Sequence, residues 1–166
     1  MCSIIEMTAD CGQNTPPGLI KVEVLPVEFI DPSSSFFMLD ENHAFNGTFA
    51  TTRPWITIPL KVLGTIWNET VPTDAQGTRY ERTLTGEMKN MRPQLLAQMQ
   101  LYPRHRYVVR VTDRTRTVIY LSTPQWPMEL TISASTNTNG AGSPVTRFDF
   151  RTISMFTAMV SNPVVE

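Results

Sequence analysis

Cysteine and histidine are nearly missing from this chain, with two of each in 166 residues. Cys2 and Cys11 both lie near the N-terminus, which excludes a disulfide framework and a cysteine-rich zinc site. Both are expected to be free thiols in a reducing compartment. His43 and His105 sit in no HExxH or other metal-ligand spacing, so ordinary surface or satisfied histidines are expected. No apolar run approaches the roughly 20 residues that a spanning helix needs, and no membrane partner is expected. Charge is sparse too: 17% of residues are charged, against ~25% in an average soluble domain. The 15 acidic and 14 basic side chains leave a net charge of −1, which excludes coating nucleic acid by bulk charge. Residues 1–18 hold neither a basic segment nor an apolar core, so no secretory leader is expected. The glycosylation triplets at Asn46 and Asn68 then read as accidental.

Chemistry is just as thin. The serine run at 33–35 lacks the small-residue elbow of a nucleophile and reads as a loop after Pro32. Gly140 and Gly142 do not follow a strand and open a helix, so they form no phosphate cradle. No catalytic, metal-binding or cofactor-binding residue can be assigned, and an enzyme is not expected.

Architecture is legible. Abundant threonine and 13 prolines spread along the chain suit short strands and turns, because interior proline breaks helices. From Leu19 to Ile30, Ile20, Val22 and Val24 alternate with Lys21 and Glu23, and Pro26 marks an edge, bulge or break. Trp55 to Trp67 reads as two bent pieces or one bulged edge strand, interrupted by Pro59 and Gly64. Tyr80 to Met88 alternates as a strand. Pro93 then opens a short amphipathic helix carrying Leu95, Leu96 and Met99, which Pro103 ends. Arg106–Thr112 and Thr117–Ser122 form a hairpin turning at Asp113-Arg114. Further strands are expected at Met128–Ser135 and at Thr146–Ile153, the latter continuing to Val160. Seven to nine strands and one helix make an all-β sandwich or barrel with a short flanking helix. Residues 19–160 would be one domain, between an N-terminal arm (1–18) and a C-terminal tail (161–166).

The charges are unevenly placed. Residues 1–75 hold three basic side chains (Lys21, Arg53, Lys61) and nine acidic ones; residues 76–166 hold eleven basic and six acidic. Arg79, Arg82, Lys89, Arg92, Arg104, Arg106, Arg110, Arg114 and Arg116 crowd the expected helix and hairpin. One reading is a solvated face whose arginine stems cover apolar neighbours. The other is a contact surface, since arginine forms bidentate pairs and is enriched at interfaces. A chain acidic in one half and basic in the other can meet copies of itself head to tail, and heterologous contacts that close make a ring.

Several segments carry a resemblance: LTGEMKNMRPQLLAQMQ (84–100), RHRYVVRVTDRTRTVIYLST (104–123), WPMELTISAST (126–136) and FDF (148–150), with CGQNTPPGLIKVEVLP (11–26) before them. Over about two-thirds of its length the chain resembles the tail-tube-like virion proteins of phages infecting Bacteroidetes-type hosts, including ring proteins of crAss-like phages. The resemblance implies a tail-tube-like β-sandwich or half-barrel with one flanking helix, synthesised in the host cytoplasm and assembled into a ring in the tail or neck of a virion. Its partners would be copies of itself and other tail, portal or connector proteins. Packaged DNA would pass through the lumen without specific binding. The expected subunit interface comprises Arg92, Arg104, Arg106, Arg110, Asp113, Arg114 and Arg116, with the segment Met155–Val165 as an arm. The competing expectations are an adhesion or carbohydrate-binding β-sandwich presenting Trp55, Trp67 or Trp126, and a nucleic-acid binder using Arg104–Arg116.

Overall fold

The structure, a computed structural model, describes residues 18–32, 51–58, 65–75, 77–89, 102–135 and 145–161. The expected helix with Arg92, both cysteines, His43, the serine run, Gly140 and Gly142 lie outside these residues, as do the N-terminal arm except Gly18 and the C-terminal tail except Ser161. The described residues are mostly strand, with only two one-turn 3-10 segments at Val27–Phe29 and Tyr102–Arg104.

Among the described residues eleven strands follow in chain order: β1 (Leu19–Pro26), β2 (Ile56–Thr57), β3 (Ile66–Thr70), β4 (Thr73–Asp74), β5 (Gly77–Thr78), β6 (Tyr80–Lys89), β7 (Arg106–Asp113), β8 (Val118–Tyr120), β9 (Met128–Ser135), β10 (Val145–Ser154) and β11 (Met159–Ser161). Five of them have only two or three residues, which is why the sequence pattern shows fewer. β4 and β5 pair with each other; the rest form one antiparallel sheet in the order β11-β8-β7-β9-β10-β6-β3. β1 lies along the other edge of β7 and carries β2.

β7 and β9 pair only at Arg106–Glu129 and Tyr107–Met128, a short joint between two groups of strands. On one side of the joint, β1 and β7 supply Leu19, Val22, Val24, Tyr107, Val109 and Val111. On the other, β6, β9 and β10 supply Leu84, Met128, Leu130, Phe148 and Phe150. All eleven belong to one buried cluster. Tyr107 and Phe150 meet edge to face inside it, ring centres 6.0 Å apart. Each such side chain contributes roughly 1.5–3 kcal/mol by leaving water. β1 and β7 are buried on their second face as well: Leu25, Ile30, Val108, Tyr120 and Met159 form a smaller cluster, flanked by Trp55 and Phe29.

Two details depart from the sequence pattern. The β1–β7 register slips between Leu19 and Lys21, making Ile20 the extra residue of a bulge. Leu19 therefore enters the core at 7% exposure and Ile20 stands out at 52%, the reverse of strict alternation. The last strand does not run through to Val160. It stops at Ser154, where the Ser154 hydroxyl bonds the Phe156 carbonyl and bends the chain, and β11 resumes beside β8. The expected break at Pro26 is present, and Trp55–Trp67 holds two peripheral strands, β2 and β3.

Candidate functional site

The polar groups inside the fold serve the fold. Arg82, on β6, is 1% exposed although it belongs to the basic block of the sequence. It shares the inward face with Leu84, two residues on. Its guanidinium donates to the carbonyls of Leu121 and Phe156 and to the Ser154 hydroxyl. Its Nε lies 3.3 Å from Glu69 Oε2. Glu69 in turn accepts from the Ala158 amide at 2.7 Å and the Thr157 hydroxyl at 2.6 Å. One buried arginine therefore joins β3, β6, the link after β8 and the link after β10. Burial pushes the Arg82 guanidinium below its ordinary pKa, and the Glu69 charge opposes that shift.

A second polar cluster lies on the covered outer face of β1 and β7. Glu23 accepts from Arg110 Nε at 2.9 Å and meets Lys21 Nζ at 2.8 Å. The Arg110 guanidinium sits 4.2 Å from the centre of the Trp55 ring and contacts the Tyr120 hydroxyl. Burial alone would raise the Glu23 carboxyl, but hydrogen bonds and charge from Arg110 and Lys21 outweigh it and hold the group below its ordinary pKa of 4.5. Arg110 loses to burial and gains more from Glu23 and Tyr120, ending above its ordinary value.

The arginines grouped by sequence enter different contacts. Arg104 is exposed beside His105, whose Nδ1 lies 3.2 Å from Glu28 Oε1, at a shallow cleft with Pro26 and Val27. Arg106 is exposed and meets Glu129 at 3.3 Å. Arg110 is held within its own chain. Asp113 shapes the hairpin turn: its Oδ1 accepts from the Thr115 and Thr117 amides and the Thr115 hydroxyl at 2.6–2.9 Å. The loop is Arg114–Arg116 rather than Asp113-Arg114, because Asp113 still pairs with Thr117. Arg116 closes it in the left-handed region at φ 66°. Arg114 lies over Gly18, where a Cβ would come 3.6 Å from its Nε.

What converges on the surface is a row of charges spanning β9, β10 and β6. Arg106 pairs with Glu129; Glu129 stands opposite Arg151 across β9–β10. Arg151 reaches Glu81 at 3.7 Å, Glu81 meets Arg79 at 3.1 Å, and Arg79 meets Asp74 at 2.8 Å. Beside this row Arg106, Gln125, Trp126, Pro127, Arg151 and Ile153 line an open cleft of about 450 Å³. The Trp126 backbone is fixed by Thr123 and by the Thr152 hydroxyl, and its ring meets Phe156 edge to face at 5.4 Å. Trp67 and Trp55 pack against the larger and smaller clusters. Glu81, Glu129 and Arg151 were not among the residues expected to act. The alternation Arg147-Phe-Asp149-Phe-Arg151 is the signal for this face, since it sets the charged side chains on one side of a strand.

Among the described residues no group of three His, Cys, Asp or Glu side chains could hold a metal, and no helix is long and apolar enough to cross a membrane. Comparison with protein-family models, curated proteins and solved structures finds no match to this chain.

Proposed function

We propose that the chain is a non-enzymatic structural subunit that works by contact with copies of itself and with neighbouring proteins, as part of a tail or neck ring of a bacteriophage virion. The observation that carries the reading is the free edge of β3. Among the described residues no strand pairs with that edge; Ile66 on the strand is 56% exposed, and Val71, the residue after its end, is 49% exposed. Unpaired edges invite pairing with another chain, and β2 and β11 end the sheet elsewhere in the same way. Apolar Met155, Phe156 and Val160 are exposed near the β11 edge, where the expected arm begins. A ring joins such edges from one subunit to the next. The two sets of strands around a shared core support a tail-tube-like sandwich or half-barrel. The phage assignment itself draws on the resemblance of residues 84–160.

Size-exclusion chromatography with light scattering tests the contact. The wild-type chain is expected to form oligomers, and an Ile66→Lys/Val71→Lys variant to lose the β3-edge contact and run as a smaller species, with an unchanged melting temperature. A wild-type monomer at all concentrations, or a variant that assembles as well as wild type, would sink the reading. A second reading, a carbohydrate-binding module of a virion or cell surface, draws on the Trp126 cleft. Saturable shifts of the Trp126 indole resonance with a neutral oligosaccharide would favour it.

A further inference from the structure

The row of charges has a property that its separate pairs do not have. Taken across the strands it reads Asp74, Arg79, Glu81, Arg151, Glu129, Arg106, a strict alternation of minus and plus with six members. An even alternating row reverses its signs when its direction is reversed. Laid antiparallel on a copy of itself, every charge meets its opposite: Asp74 faces Arg106, Arg79 faces Glu129, and Glu81 faces Arg151. Laid parallel and in step, every charge meets its like. Self-complementarity under a two-fold rotation is what an isologous interface requires.

We propose that the outer face of β6, β9 and β10 pairs with the same face of a second copy, across a two-fold axis passing between Glu81 and Arg151. The surroundings fit that contact. Ile153, half exposed, stands directly opposite Glu81 in the β6–β10 register, so an apolar side chain lies beside the axis with charges around it. An apolar centre within a polar rim is ordinary interface anatomy. The rest of the face carries Thr83, Thr85 and Thr131, the exposed Asp149 and the Arg147–Glu87 pair at 2.9 Å. The charged side chains of the row reach water, with exposures from 24% for Glu81 to 72% for Glu129. Single exposed pairs contribute little. Six charges meeting six of opposite sign instead set register and partner choice. The inference rests on the reading of the chain as a subunit that contacts its own copies, and it names a contact separate from the β3 edge.

The test is a charge swap at the two ends of the row. Asp74 pairs with Arg79 and Arg106 with Glu129, so any compensation between positions 74 and 106 reports a contact between chains. Self-association of the full chain is measured by analytical ultracentrifugation at low salt. Arg106→Glu alone and Asp74→Arg alone each place like charges opposite one another twice per pair. Each is expected to weaken association about tenfold. The double variant restores opposite charges at both ends and is expected to return to near wild-type association. All three should melt as wild type does, because both side chains are well exposed. Two weak singles without rescue, or three variants that associate like wild type, would overturn the two-fold contact while leaving the β3-edge reading standing. A wild-type chain that stays monomeric overturns both.

Discussion

Arg82 is the side chain whose loss strands the most partners. Removing its guanidinium leaves the Leu121 and Phe156 carbonyls, the Ser154 hydroxyl and the Glu69 carboxylate to find other partners inside the fold. Arg82→Met is therefore expected to cost about 3–5 kcal/mol in urea unfolding, the usual penalty for breaking a buried pair from one side. A loss under about 1 kcal/mol would mean that water already shares the site. The alternation of Tyr80–Met88 already sets Arg82 on the face of Leu84, but nothing in the sequence names the carbonyls and the carboxylate that it meets there. Glu23 gives a prediction in pH. Its carboxyl is held below 4.5 in the folded chain, so the stability it adds is complete above that pH. That contribution is lost as pH falls through 4.5 and then through the lower folded value, because the unfolded chain takes up the proton first. The melting-temperature gap between wild type and Glu23→Gln should be widest near pH 7 and shrink below pH 4.5. A gap that is constant with pH would show that the ion pair with Arg110 adds nothing.

Among the elements, the β7–β8 hairpin shows how local chemistry sets a turn. Asp113 takes three donors of the loop onto one oxygen, and Arg116 accepts a left-handed backbone that glycine would adopt more easily. Asp113→Ala is expected to destabilise the chain by about 1–2 kcal/mol. Arg116→Gly is expected to stabilise it by about 0.5–1 kcal/mol, the left-handed strain removed less the extra freedom of the unfolded glycine. Thermal unfolding of the two variants gives both signs; a stabilising Asp113→Ala would mean that the turn is set by the strands instead. Hairpin strands, β6 and β9 were legible because their alternation is long and bounded by turn residues. The bulge at Ile20 was not legible, since one inserted residue leaves composition and pattern almost untouched. Neither was the end of β10 at Ser154, which depends on Arg82 reaching across from another strand. A contact that distant in sequence leaves no local trace.

At the scale of the molecule, the all-β class follows from proline and threonine usage, but the candidate contact surface did not. The sequence groups Arg104 to Arg116 by position. The sheet disperses them, with Arg110 packed against Trp55 and Arg106 joined to Glu129 and, through it, to Arg151. Strand pairing brings charges from residues 74 to 151 into one row, and that order exists only once the sheet is built. The same connectivity decides how the chain melts. β1 and β7 are buried on both faces and belong to both hydrophobic clusters, while β10 lies between β6 and β9. Neither cluster keeps its walls if the other opens, so the described sheet should unfold in one cooperative step. Trp55 reports the smaller cluster and Trp67 the larger. Single-tryptophan variants keeping one or the other should show the same urea midpoint, which should also match that of far-ultraviolet circular dichroism on each variant. If the Trp55 signal is lost at lower urea than the Trp67 signal, the covering segments around residues 27–30 and 51–58 open before the main core. The second face of β1 and β7 would then be a separate unit of stability.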